Sequence, residues 1–260
     1  MADKLAVVTG ASTGIGLELA KIAAEEGYDL VVVADEPQIE AAAGGLRGQG
    51  VEVVAVEADL ATIEGNDRLL AAVGGRPIDL LLANAGRGLG HAFLDQEVAD
   101  WRQVIDTNVF GTTYLLHKVG RQMAARNDGR ILITGSIAGL IPGAFQAVYN
   151  ASKAYLDSFS YALREELKEA GVDGVTVTVL MPGPTDTPFF ERAGMLDTPV
   201  GKDDSKEDPA KTARNGWSAM MSGSAHVVSG AKNKLQAALS HVTPDSVLAH
   251  QHTGMAKPDA

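Results

Sequence analysis

The chain has 260 residues, 45% of them hydrophobic and 21% charged, with a formal net charge of -11 and no cysteine. That length and composition suit a single domain, 1–260, with a sizeable core. The acidic balance disfavours nucleic acid and anionic membrane and leaves a small molecule as the expected partner, while the missing cysteines exclude disulfides, thiolate metal sites and cysteine nucleophiles.

In chain order, short apolar runs at Leu5–Thr9, 30–34, 51–57, Leu80–Ala83, 131–134, Val175–Met181 and 225–229 read as strands buried on both faces. Amphipathic stretches at 16–26, 98–126 and 149–170 are long enough to return each next strand parallel. The alternation predicts an α/β fold, a Rossmann-type doubly wound parallel sheet of about seven strands with helices on both faces. Past Pro182 the pattern loosens. Residues 202–208 read as a solvated charged loop, Asp208-Pro209 as the start of a further helix, and 241–260 as a peripheral tail in which His250 and His252 lie outside ordered structure. The first residues are too few and too polar for a signal peptide, and no run approaches membrane-spanning length, so a cytoplasmic location is expected.

The first strand runs directly into Thr9-Gly10-Ala11-Ser12-Thr13-Gly14-Ile15-Gly16 and then a helix. Gly10, Gly14 and Gly16 permit a tight turn and a close backbone approach, so a pyrophosphate can sit on the amides of Ser12, Thr13, Gly14 and Ile15 at the helix N-terminus. Asp35 closes the second strand 19 residues after Gly16, where a carboxylate can accept both ribose hydroxyl hydrogens of an adenosine. With Glu36 beside it, an uncharged Thr13 in the loop and no arginine nearby in sequence, the pair would repel a 2′-phosphate, which favours NAD(H) over NADP(H). Gly10-Ala11-Ser12-Thr13-Gly14 also matches a hydrolase nucleophile elbow. It sits on the first strand, with no upstream loop to complete an oxyanion hole, and the extra Gly16 suits phosphate binding instead.

Tyr149 and Lys153 lie four residues apart and share one face of a helix. A phenol titrates near pH ~10, and a neighbouring ammonium favours its phenolate, making proton exchange with a substrate oxygen feasible. Ser136 ends the fifth strand 13 residues earlier, Asn84-Ala85-Gly86 forms a small-residue turn after the fourth, and Asn108 places an amide among apolar neighbours, where it must bond its own helix or organise something polar.

These motifs, together with Pro182-Gly183, stand in the order and at the spacing of the short-chain dehydrogenase/reductase family, and from Leu5 to about Phe190 the chain resembles its compact single-domain branch. The one small departure is Ala83, where the family often has a second asparagine. The resemblance implies that Tyr149 is the general acid or base, that Ser136 holds the substrate oxygen, that Lys153 also bonds the nicotinamide ribose, and that Asn108 positions a water leading to solvent. It further implies that Asp59 and Leu60 touch the adenine and that Thr187, or alternatively Thr185, binds the nicotinamide carboxamide. Residues 188–225 would form a variable substrate lid, and Ser136, Ala138, Gln146, Tyr149, Phe189 and Phe190 the substrate pocket. Met195, Leu196, Trp217, Met220 and Met221 could also line that pocket, although Trp217, Met220 and Met221 lie at helical spacing and fit core or a subunit interface as well. No metal motif is present. A homotetramer or homodimer packed through the two long helices is the family habit.

The expected activity is hydride transfer between a nicotinamide and a secondary alcohol or ketone, medium-sized and apolar. An NADPH-dependent ketone or oxoacyl reductase is the alternative within the fold. A non-catalytic NAD(P)-sensing regulator or scaffold would be expected to have lost some of the tetrad Asn108, Ser136, Tyr149 and Lys153, and an epimerase or dehydratase to carry a longer C-terminal domain and a different glycine spacing.

Overall fold

The structure is a computed structural model describing residues 4–259. Its strands are β1 (Leu5–Thr9), β2 (Asp29–Ala34), β3 (Val53–Glu57), β4 (Leu80–Ala83), β5 (Gly129–Thr134), β6 (Val175–Met181) and β7 (His226–Val228). They form one parallel sheet in the order β3-β2-β1-β4-β5-β6-β7. Chain order reverses between β1 and β4, so the connections leaving those two strands diverge and leave a crevice at their carboxyl ends.

Side chains alternate across the sheet, and because both faces are covered, both alternating sets are apolar. Ala6, Val8, Leu30, Val32, Leu80, Leu82, Leu132 and Leu180 face one core, closed by α1 (Gly14–Glu25), α2 (Gln38–Arg47) and α9 (Pro209–Met221). Leu5, Val7, Val31, Val33, Leu81, Ile131, Ile133 and Val177 face the other, closed by α3 (Ile63–Ala72), α5 (Thr112–Arg126) and α6 (Ala147–Glu169). Among the described residues no helix is long and apolar enough to cross a membrane.

The stretch 98–126, read as one helix, is interrupted. Helix α4 (Val98–Ile105) passes into a π-helical turn, Asp106–Gly111, before α5 begins. A Cβ at Gly111 would lie 2.0 Å from the Leu60 carbonyl oxygen, so the backbone presses directly on the loop after β3, and the widened turn holds Asn108.

Residues 188–225 do not form one lid. Short helices α7 (Phe189–Arg192) and α8 (Pro199–Lys202) lie over the sheet edge, but α9 belongs to the core layer against α1, capped at its start by the Asp208 carboxylate, which accepts from the Ala210 amide at 3.0 Å. Trp217 packs edge-on against Tyr28, with centroids 6.1 Å apart, and Met220 is fully buried, so both are core residues rather than pocket residues. Met195 is sealed against Phe190, Ala193 and Ala256, while Leu196 and Met221 are exposed. The 202–208 segment is not simply solvated: Thr185 bridges Glu207, whose amide donates to the Pro184 carbonyl at 2.9 Å. Nor is 241–260 peripheral. After α10 (Ala231–Ser240), residues 245–256 form α11 (Asp245–Ala256), whose Leu248, His252 and Ala256 are buried. Its buried positions recur every four residues on one face, against α8 and, through Ala256, Phe190 of α7.

Truncating Trp217→Ala is expected to cost about 3–5 kcal/mol of unfolding free energy in a denaturant titration. The KM for any substrate should stay unchanged in the folded fraction, because the indole fills core and not pocket.

Candidate active site

Three strand ends are laced together at the crevice. Thr9 Oγ1, at the end of β1, accepts hydrogen bonds from the amides of Asn84 (2.9 Å) and Ala85 (2.8 Å), which follow β4. The Asn84 side chain donates back to the Thr9 and Gly10 carbonyls at 3.2 and 3.3 Å and accepts from Thr134 Oγ1, at the end of β5, at 3.1 Å. Gly16 is held in the same knot, since a Cβ there would stand 2.1 Å from the Gly10 oxygen. Gly10 and Gly14 adopt positive φ, +65° and +57°, and a Cβ on Gly14 would meet Thr187 Cγ2 at 2.9 Å. Helix α1 starts at Gly14 with no side chain capping its first amides, which therefore face the crevice.

A cleft of about 560 Å³ runs along this edge. It is lined at one end by Gly10, Ser12, Thr13, Gly14, Ile15, Asp35, Asp59 and Leu60. Asn84, Ala85, Gly86, Pro182, Gly183, Thr185 and Thr187 line its middle, and Ser136, Ala138, Gln146, Tyr149, Lys153, Phe189 and Phe190 its other end. Two residues named from sequence stand behind the wall. Gly16 is one. Asn108 is the other, fully buried, with its Oδ1 accepting from the Arg87 amide at 2.8 Å and its Nδ2 donating to the Arg87 carbonyl and to Ser152 Oγ, each at 2.9 Å. Its amide is thus committed to cross-tying the 84–87 turn to α6.

A glycine cradle free of side chains, uncapped helix amides and a carboxylate at the end of β2 suit a dinucleotide: pyrophosphate on the amides of 12–15, adenosine ribose by Asp35. The ribose end differs from the sequence expectation that no arginine is near. Arg87 pairs with Asp35, and Arg192, in α7, donates to both Glu36 oxygens at 2.9 and 3.0 Å, while Ser12 Oγ donates to Glu36 as well. The arginines come from 52 and 156 residues away in sequence, so only folding brings them there.

At the other end, Lys153 is buried, and its Nζ donates to the Thr134 carbonyl at 2.7 Å and lies 5.9 Å from the centre of the Tyr149 ring. Burial lowers its pKa to about 8, with the Asp157 charge opposing. The Ser136 hydroxyl, which accepts from the Ala138 amide at 3.1 Å and donates to the Pro182 carbonyl at 3.4 Å, favours the Tyr149 phenolate, yet burial outweighs it and pushes the phenol up to about 12, with Asp157 adding to the rise. The downward shift expected from Lys153 alone is therefore not the net result; the ammonium is directed at the Thr134 carbonyl, and desolvation of the phenolate dominates. Tyr149 also packs on Phe189, centroids 5.2 Å apart, which joins lid and catalytic helix.

Residues 4–195 match the family model of short chain dehydrogenases. The chain belongs to the short-chain dehydrogenase/reductase family and is an oxidoreductase. It is 33% identical over 192 residues to an uncharacterized oxidoreductase of Staphylococcus epidermidis, covering 73% of this chain and 81% of that protein. A Burkholderia phymatum family member solved in complex with NAD superposes with a TM-score of 0.82 at 25% identity, over 92% of this chain and 93% of its own. A Sphingobium yanoikuyae short-chain dehydrogenase in complex with NADPH gives 0.78 at 26%, over 92% and 94%.

Asp157 was not legible as a site residue. It lies four residues after Lys153, on the face that already carries Tyr149 and Lys153, and that repeat of four was the available signal. Its carboxylate is wedged under the Ser136 turn: Cβ atoms at Gly135 and Gly139 would fall 2.2 and 2.3 Å from its two oxygens. Neither oxygen completes a hydrogen bond, and only the Ser136 amide and the Lys153 charge favour ionisation. Burial outweighs both and raises the pKa from 3.8 to about 7. A carboxyl whose folded pKa lies above its unfolded value contributes stability that is complete below the unfolded pKa and is lost as pH rises through the folded one. Asp157→Asn should therefore gain on the wild type between about pH 4 and pH 8, on the order of a few kcal/mol, in denaturant titrations run across that range; parallel curves would contradict the assignment.

Proposed function

We propose that the chain catalyses NAD(H)-dependent hydride transfer between a nicotinamide and a secondary alcohol or ketone of medium size and largely apolar body. The observation that carries this reading is the placement of Ser136, Tyr149 and Lys153 in the same cleft as the glycine cradle. The bound nicotinamide would supply or take the hydride at the substrate carbon. Ser136 Oγ would hold the substrate oxygen, and Tyr149 would give its proton to that oxygen in reduction or take it in oxidation. Lys153, charged below about pH 8, offsets negative charge developing on the phenol oxygen and carries donors suited to the cofactor ribose. Asn108 would hold the Gly86–Arg87 backbone against α6 and so keep the cleft at its width.

Tyr149→Phe tests the mechanism and separates it from a non-catalytic sensor. Turnover should fall by about 10²–10⁴-fold in an absorbance assay while NADH binding, read by fluorescence, persists. Retained turnover would sink the assignment.

For the cofactor, Asp35 and Glu36 support NAD(H), because two carboxylates at the ribose oppose a 2′-phosphate. A specific observation favours the NADPH-dependent alternative: each carboxylate is paired with an arginine that could turn to a phosphate. Comparing kcat/KM with NADH and NADPH decides between them. NAD(H) use predicts higher efficiency with NADH and no loss of NADPH efficiency in Arg87→Ala; a preference for NADPH abolished by that substitution would establish the alternative.

A further inference from the structure

Beyond Tyr149, the substrate end of the cleft is mostly apolar, walled by Ile141, Phe189, Phe190, Val200, Met255 and Ala256. The last two come from α11, the segment that sequence reading placed at the periphery. Into this wall α11 also brings His252, buried to 5% exposure. Its Nδ1 lies 2.7 Å from the Ala144 carbonyl oxygen. A carbonyl can only accept, so Nδ1 carries the proton. Burial lowers the pKa of the ring, so the imidazole is neutral and its Nε2 is a bare acceptor.

Nε2 has no hydrogen-bond partner among the described residues and is not one of the sealed polar atoms, and the residue that carries it lines the cleft. Two residues after the carbonyl that His252 holds stands Gln146, also buried and lining the cleft, whose side-chain amide has no hydrogen-bond partner among the described residues and is likewise unsealed. The neighbouring Phe145 adopts φ +64°, a conformation that residues other than glycine rarely take, and the loop leading into it is pinned at two points. His252 holds Ala144, and Asn150 Nδ2 donates to Ile141 at 3.1 Å. This is a rigid polar spot in an otherwise apolar chamber, offering one acceptor and, beside it, an amide able to donate. A hydroxyl group both donates and accepts and so matches that pair, whereas an ether or a carbonyl supplies no proton for Nε2.

We propose that His252, with Gln146, is a specificity-determining site that reads a hydroxyl group on the substrate remote from the reacting carbon, so that the preferred substrates are hydroxylated apolar ketones or the corresponding diols. This rests on the reductase reading above and names its substrate class. The acceptor polarity is imposed by the Ala144 carbonyl through the tautomer, and the apolar residues that line the rest of the chamber favour a hydrocarbon body.

The test uses the full-length enzyme with NADH and NADPH and a series of straight-chain methyl ketones of increasing length. Each ketone is compared with the same molecule carrying a terminal hydroxyl and with its terminal methyl ether. At the chain length that spans the chamber, kcat/KM for the hydroxy ketone should exceed that of its parent by about 10-fold, and the methyl ether should show no such gain. In His252→Asn the amide nitrogen takes the place of Nδ1 and can still hold Ala144, but the distal acceptor is gone, so the ratio of hydroxy ketone to parent should fall to about one. The wild-type series is informative whatever the variant's stability. Turnover of the parent ketones with no hydroxyl preference at any length, or a preference that survives in His252→Asn, overturns this proposal alone. No turnover of any ketone by an enzyme that binds NADH overturns the reductase reading and this proposal with it.

Discussion

The site hangs on one hydrogen bond: the Lys153 ammonium, buried in α6, donates to the Thr134 carbonyl at the last residue of β5. An ammonium taken out of water costs several kcal/mol unless it is paired or hydrogen-bonded, so this contact fixes how α6 can lie on the sheet. With Lys153 anchored, helical geometry places Tyr149 one turn earlier, against Ser136, and Asp157 one turn later, under the same Ser136 turn. Thr134 in turn reaches through its hydroxyl to Asn84, and Asn84 to Thr9 and Gly10. The Tyr149 end and the glycine-loop end of the cleft are therefore parts of one network. A shift of α6 would be felt at the glycine loop.

That network concentrates ionisable groups where water is scarce. A phenol near 12, an ammonium near 8 and a carboxyl near 7 occupy three successive turns of one helix face. Each has been pushed toward its neutral form by burial, the direction that desolvation demands. The protein keeps them there at a cost in stability, and the small residues around them, Gly135 and Gly139 over Asp157 and Gly86 beside Lys153 and Asn108, leave no room for bulkier side chains.

At the opposite end, charge is arranged in pairs. Asp35 with Arg87 and Glu36 with Arg192 bring the turn after β4 and helix α7 against the end of β2. Both pairs are solvent-facing and contribute little to stability. Their consequence is geometric, since Arg192 follows Phe189 and Phe190, and its pairing with Glu36 ties α7 to the end of β2.

The sheet, the glycine loop and the shared helix face of Tyr149 and Lys153 were legible in the sequence, because each depends on local rules: apolar runs at strand length, glycines where φ is positive, and a spacing of four on a helix. The sequence also located the Asp208 cap and Pro209 start of α9. What it could not decide were relations between distant segments. The burial of Trp217 and Met220 in the core, the interruption of 98–126 by a π-turn pressed on Leu60, and the arginines beside Asp35 and Glu36 all arise from contacts far apart along the chain. The same holds for the C-terminal helix: 245–256 has no strong amphipathic pattern of its own, and only packing against α7 and α8 turns it from an expected tail into a wall of the chamber carrying His252. Tertiary structure also reversed the expected effect on Tyr149, since the sequence shows a lysine one turn away but not the desolvation that outweighs it.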